Sequence, residues 1–364
     1  MACKSTGSIC DIDACTQFLS FLPRIGFPSF NTLKSFCCFR SPKAILVSVI
    51  LALLFVFFVV PSIFRWTPFV QRQMVFLPWV HWPKHVDFDS PEKEGLEGTR
   101  NFYLNTDLNV KVGVWHLVPK DLIAEASSKA QNEKWFEKSL GDSGSPIILY
   151  LHGNTGSRAR EHRVELYKIL QSLNYHVICF DYRGYADSSP ITPSKTGVVE
   201  DALKVYAYVK EHAKLAPVII YGHSLGTAVS TEAVARLCEE GDPPTSLILE
   251  SPFNNIHDEI KYHPMSFLWR KMPWFKWFFT GTLTKNDVGF VSDQKIGQIY
   301  IPILIMHAKD DLVVPYILGE RLYQSALAKR PLDAKPVNFV SFESDLGLAH
   351  VYIYTSPEIP SIIQ

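Results

Sequence analysis

The sequence predicts an α/β protein: a mostly parallel sheet of about eight strands flanked by helices, with one transmembrane helix ahead of it. Three observations carry that prediction. Short runs that are almost entirely apolar, among them 146–151, 175–181, 218–221, 246–250 and 301–307, alternate with stretches of helical periodicity. Between two such elements, Gly222-His223-Ser224-Leu225-Gly226 makes an abrupt corner. Finally, residues 44–60 contain no charge, and Ser48 is their only polar residue.

In chain order, residues 1–43 form a tail that holds five of the seven cysteines, Cys3, Cys10, Cys15, Cys37 and Cys38. Ile63 and Phe64 lengthen the apolar block to 44–64, enough to cross a bilayer core of roughly 30 Å as a helix. The block has no polar face, as a core helix would, and no small-residue cleavage site, as a signal peptide would, so an uncleaved signal anchor is expected. Residues 65–99 follow as a juxtamembrane linker, with Trp66, Trp79 and Trp82 suited to an aromatic belt. The globular domain then covers 100–364. It opens with a hairpin, 101–106 and 110–118, and a polar surface insertion at 120–144. Most of the later strands, a series that ends with 337–342, are apolar throughout, which suits a parallel sheet joined by right-handed crossovers. Val164, Tyr167, Leu170 and Leu173, then Ala202, Tyr206 and Val209, recur at helical spacing between them.

Composition narrows the function. The 36 basic residues balance the 36 acidic ones, so no overall field favours nucleic acid. Cys179 and Cys238 alone in the globular part make no disulfide framework. His81 and His85 have helical spacing for zinc, but Pro83 between them spoils the helix. No phosphate-cradling glycine motif occurs, and neither a cofactor nor a metal is expected. H-x-x-x-x-D, at His116/Asp121 and His176/Asp181, falls in strand-like runs and is read as chance.

The corner at Ser224 is G-x-S-x-G between strand and helix. Such a turn projects the serine Oγ from the sheet edge, and small flanking residues let neighbouring backbone pass close by. An activated serine needs a base, and the base needs an orienting carboxylate. After the strand at 301–307, Asp310 and Asp311 compete for that role, and the spacing to Val314-Pro315 favours Asp311. His350, in the loop after the last strand, is the expected base. For the oxyanion, the N–H of Leu225 follows the nucleophile, and Asn154 in His152-Gly153-Asn154-Thr155-Gly156 offers a second. The segment at about 252–298 is too long for a plain connection and rich in aromatics, from Phe253 to Phe279. It is expected to be a lid whose apolar side chains accept an acyl chain. Lys261, Arg270, Lys271 and Lys276 on it could meet an anionic head group or simply face water.

The stretches ILYLHGNTG, FDYRGYADS, YGHSLGTAVS, ILESPFNNI, ILIMHAKDDLVVP and SDLGLAHVYIY resemble the α/β-hydrolase-domain family of membrane-anchored lysophosphatidylserine and monoacylglycerol lipases. That resemblance implies the α/β-hydrolase fold, with Ser224 as nucleophile, Asp311 as acid and His350 as base. It further implies a lipid substrate, lysophosphatidylserine by preference, and a single-pass protein of the endoplasmic reticulum membrane with its catalytic domain lumenal or extracellular. Two other readings stay open: a protein S-acyl thioesterase with the same triad, and a non-catalytic membrane scaffold, although the triad residues are intact. Arg24, Lys34, Arg40 and Lys43 before the span outnumber Arg65, Arg72 and Lys84 after it, which favours a cytosolic tail. Cys37 and Cys38 would there be S-palmitoylation candidates.

Overall fold

The structure, a computed structural model, describes residues 41–129 and 132–364. The tail cysteines, Arg24, Lys34 and Arg40 lie outside the described residues. The chain divides between Val59 and Val60 into two compact units. In the first, helix α1 (Pro42–Leu54) starts at Ser41, whose Oγ accepts the Ala44 N–H at 3.2 Å, with Pro42 at its first turn. A wider turn, Phe55–Val59, follows, and α2 (Val60–Trp66) opens the second unit. Pro42–Trp66 is long and apolar enough to cross a membrane.

The stretch read as a linker does more than skim a surface. Its helix α3 (Pro68–Phe76) buries Gln71, Val75 and Phe76, and Phe76 packs 6.3 Å from the Phe290 ring. Trp66 and Trp79 on the same stretch remain exposed.

Strands β1 (Thr99–Asp107) and β2 (Val110–Leu117) form the expected antiparallel hairpin. The insertion that follows is more ordered than its polar composition suggests. It folds into α4 (Ile123–Ser128) and α5 (Glu133–Asp142) because Ala126 and Phe136 bury against Val118 in a small core of their own.

Then come β3 (Ile147–Leu151), α6 (Glu161–Ser172), β4 (His176–Phe180), α7 (Lys195–Ala213), β5 (Val218–His223), α8 (Leu225–Glu240), β6 (Ser246–Glu250), α9 (Ile256–Tyr262), α10 (Ser292–Lys295), β7 (Ile303–Ala308), α11 (Tyr316–Lys329), β8 (Val337–Phe342) and α12 (Ile359–Ile363). Among the described residues the eight strands form one sheet in the order β1-β2-β4-β3-β5-β6-β7-β8. Every pairing from β4 to β8 is parallel, and β2 joins β4 antiparallel.

The apolar strands bury both faces. Ile147, Leu149 and Leu151 point into one core with α7, α8 and α11, while Ile148 and Tyr150 point into a second with α6 and α12. Period-two alternation is therefore hidden in these strands, since each face meets helices. The parallel arrangement sends the C-terminal ends of β3, β5, β6 and β7 to one edge, where the Ser224 corner stands.

Because Phe76 lies wholly inside this core, Phe76→Ala should destabilise the domain by about 3–5 kcal/mol. Thermal unfolding of the detergent-solubilised full chain checks this; an unshifted midpoint would return residues 65–99 to the status of a mere linker.

Candidate active site

Ser224 turns the chain from β5 into α8 at φ 54° and ψ −119°, a region that side-chain-bearing residues avoid. Two glycines make the turn possible. A Cβ on Gly226 would stand 2.0 Å from the Leu151 carbonyl oxygen, and one on Gly222 would stand 2.5 Å from that of Gly226. The corner is then held by hydrogen bonds. Ser224 N–H donates to the Glu250 carbonyl at 3.0 Å, and Thr227 donates from N–H and Oγ1 to the Ser224 carbonyl. Ser224 itself is only 7% exposed.

The loop after β7 explains the Val314-Pro315 spacing. Asp311 Oδ1 accepts the N–H groups of Val313 and Val314, each at 2.9 Å. Its Oδ2 accepts from His350 Nδ1 at 2.7 Å, and His307 Nε2 lies 3.3 Å away. Burial alone would raise this carboxyl, but His350 and His307 with their hydrogen bonds outweigh it and hold it well below the usual carboxylate range. Asp310 serves the same loop differently: its Oδ2 accepts the N–H of Ala349, at 3.0 Å, and Ala349 has φ 47°.

His350 is steered from its backbone as well. His223 Nε2 lies 3.0 Å from the His350 carbonyl oxygen, so it donates there, and the two rings stand 5.0 Å apart. The middle position of the serine motif thus reaches across to the base loop, a role that the motif spacing alone does not signal. The His350 ring bonds to Asp311 and not to Ser224 Oγ; in enzymes without substrate that contact commonly tightens only on binding.

The loop His152 to Gly156 runs beside the nucleophile, where a Cβ on Gly153 would stand 3.2 Å from Ser224 Cβ. Neither the Leu225 nor the Asn154 backbone N–H donates to a protein acceptor among the described residues. The former linker props this loop up. Asn154 Nδ2 donates to the Val75 carbonyl at 3.3 Å, and Gly156 N–H donates to that of Val80 at 3.0 Å.

Residues 146–291 match the model of the alpha/beta hydrolase fold family. Over 315 residues the chain is 45% identical to the lysophosphatidylserine lipase ABHD12 of Danio rerio, covering 86% of this chain and 81% of that one. It is 46% identical to the protein of the same name in Rattus norvegicus, over 87% and 78%. The chain belongs to the ABHD12 family of α/β-hydrolases. Protein ABHD12B of Homo sapiens is 36% identical over 70% of this chain and 72% of its own. Among solved structures, an esterase of Pyrococcus furiosus matches with a TM-score of 0.54 at 19% identity, over 78% of this chain and 94% of that one. An alpha-beta hydrolase of Vibrio vulnificus matches with 0.58 at 14%, over 81% and 91%. At such identities the likeness concerns the fold.

In this ABHD12-family chain the segment between β6 and β7 brings titratable groups near Asp311 and His350. Asn255 caps α9 through its side chain, accepting the Asp258 N–H at 2.8 Å. Glu259 and His263, one turn apart, feel the charges of Asp311 and His350. Burial, then Asp311, pushes the Glu259 carboxyl up to about 8, and its Oε2 has no partner. Burial, then His350, lowers the His263 pKa. Of the aromatics foreseen here, Phe275, Phe278 and Phe279 are buried, whereas Phe267 and Trp277 are largely exposed. The buried ones pack toward α2: Phe64 lies 5.3 Å from Phe279, and the Arg65 guanidinium lies 3.8 Å over the Trp277 ring. Gln71 on α3 donates to Thr282 Oγ1 and accepts from Asn286 Nδ2, both at 2.8 Å. Lys261, Lys271 and Lys276 are exposed, and Arg270 is half-buried. Among the described residues no cluster could hold a metal ion.

Asp311→Asn should lower kcat on the order of 10⁴-fold by favouring the wrong imidazole tautomer. Asp310→Asn keeps an acceptor for Ala349 N–H and should cost roughly tenfold or less, the scale of one neutral hydrogen bond. Ester hydrolysis by the two purified variants compares them; a reversed order would make Asp310 the acid.

Proposed function

We propose that this chain is a membrane-anchored serine lipase that hydrolyses the acyl ester of lysophospholipids, lysophosphatidylserine above all, and of monoacylglycerols. The observation that carries the reading is the Asp311–His350 pair, 2.7 Å apart and held against the strained Ser224 corner. The names of the relatives, lysophosphatidylserine lipases, support the substrate.

In the proposed mechanism Ser224 Oγ attacks the acyl carbonyl carbon as its proton passes to His350 Nε2. Asp311 holds the Nδ1–H and stabilises the imidazolium. The carbonyl oxygen becomes an oxyanion, and the unengaged N–H groups of Leu225 and Asn154 donate to it. Collapse expels the glycerol-side alkoxide, which takes the proton from His350 and leaves an acyl ester on Ser224. Water, deprotonated by His350, attacks that ester and releases the free fatty acid. The apolar lid residues suit the acyl chain.

The proposed organisation is a cytosolic tail (1–43), a span (44–64), a juxtamembrane stretch (65–99) and a hydrolase domain (100–364) with its lid at about 252–298. We place the protein in the endoplasmic reticulum membrane with the hydrolase domain lumenal. Lys43 just before the span and the upstream basic residues support that orientation.

Ser224→Ala should abolish fluorophosphonate labelling and leave only the roughly 10³–10⁴-fold rate over water that oxyanion binding alone sustains. Undiminished hydrolysis of 18-carbon lysophosphatidylserine by the folded variant would refute the mechanism. For topology, an Asn-x-Thr sequon engineered at exposed Ser127 should produce an endoglycosidase-sensitive mass shift. If only a sequon near Ser8 is glycosylated, the orientation is inverted.

A further inference from the structure

Among the described residues four arginines are buried: Arg100, Arg158, Arg163 and Arg183. Two are neutralised in the ordinary way. Arg158 pairs with Asp181 and Asp187, each at 2.6 Å, and Arg183 pairs with Asp201 at 2.8 Å. Arg100 lies over the faces of Phe102 and Phe136. Among the described residues Arg163 has neither kind of partner. It is 1% exposed, donates only to the carbonyls of Thr155 and Ser157, both at 2.7 Å, and leaves its Nε unpaired. One turn earlier, half-buried Arg160 donates from Nη1 to Thr155 Oγ1 and meets no carboxylate among the described residues. Burial, then the like charge of Arg163, lowers the Arg160 pKa to about 10.

Two desolvated cations on successive turns with no counter-charge are unfavourable, and an unsatisfied arrangement of that kind calls for an explanation. Its location supplies one. Thr155 and Ser157, to which both arginines are tied, continue the loop that carries Asn154 past Ser224. On its other side Arg160 feels Tyr352, two residues beyond His350. Between them His162, 9% exposed, has no partner for its Nε2, and its ring stands 5.6 Å from that of His223. The cations are therefore tied to the loop that passes Ser224 and lie near the segment that follows His350.

We propose that Arg160, backed by Arg163, binds the phosphodiester of a lysophospholipid head group and so favours anionic lysophospholipids over neutral monoacylglycerols. A planar guanidinium fork matches two phosphate oxygens and is more weakly hydrated than an ammonium. Arg160 makes the contact because its side chain is only half-buried. Arg163, fully enclosed, is a positioning residue: it pins the Thr155–Ser157 carbonyls and adds its field. The inference rests on the lipase reading above and adds its head-group specificity.

The test compares kcat/KM of the full-length protein in detergent micelles on three lipids sharing one oleoyl chain. These are lysophosphatidylserine, lysophosphatidylglycerol (a phosphodiester without a carboxylate) and monooleoylglycerol. Arg160→Met should lower the ratio of each lysophospholipid to monooleoylglycerol by about 10- to 100-fold, mainly through KM, the scale of one charge-assisted hydrogen bond. Arg160→Lys should restore part of the ratio. Fluorophosphonate labelling of Ser224 reports whether each variant is folded. Should the Met variant fail to fold, Arg160→Gln, which keeps a donor for Thr155, gives the ratio instead. Ratios that do not change, or a loss confined to lysophosphatidylserine, would overturn a phosphodiester site. Failure of the wild-type protein to cleave any of the three would instead refute the lipase reading itself.

Discussion

Everything at this site depends on how closely backbones approach one another at the C-terminal edge of the sheet. The start of α8 can lie against the exit of β3 only where Gly226 has no side chain, since a Cβ there would stand 2.0 Å from the Leu151 carbonyl oxygen. That contact brings the His152–Gly156 loop beside Ser224, and the Leu225 and Asn154 N–H groups there have no acceptor among the described residues. The unfavourable conformation of Ser224 is over-determined by hydrogen bonds from β6 and from the first turn of α8. Parallel strands make the same edge the meeting point for the loops after β7 and β8, which bring Asp311 and His350.

His350, the proposed base, is positioned by three contacts rather than one. Asp311 holds its ring, Asp310 holds the N–H of the residue before it, and His223 holds its carbonyl. The two adjacent aspartates thus divide the work between side chain and backbone. His223 belongs to the serine motif, so Ser224 and His350 share a support.

A second set of contacts links the segment between β6 and β7 to the chain that leaves the apolar helix. Phe64, Arg65 and Gln71 pack or hydrogen-bond to Phe279, Trp277 and Thr282, while Val75 and Val80 carry hydrogen bonds from the Asn154 loop. The stretch just beyond the apolar helix therefore touches both the segment between β6 and β7 and the His152–Gly156 loop. Exposed Trp66, Phe69 and Trp79 on that stretch, with Phe267 and Trp277 on the lid, are large apolar groups next to the same elements.

The sequence by itself determined the α/β class, the nucleophile corner and the apolar helix. Each is written in local signals: apolar runs, glycines at fixed offsets, a charge-free block. The turn at Asp311 was legible too, because a carboxylate that accepts the N–H groups two and three residues onward is a local feature. What lay outside local signals was decided by tertiary structure. Helix α3 reads as part of a membrane-skimming linker, yet Phe76 is buried in the main core and packs against Phe290, far along the chain. The insertion at 120–144 is ordered by Phe136, a single aromatic whose burial partner the pattern does not name. The pairing of His223 with His350, and the isolation of Arg160 and Arg163 from any acid, are equally long-range. A counter-charge or a carbonyl can come from any loop the sheet gathers, so only the folded chain reveals which charges it neutralises and which it leaves for a ligand.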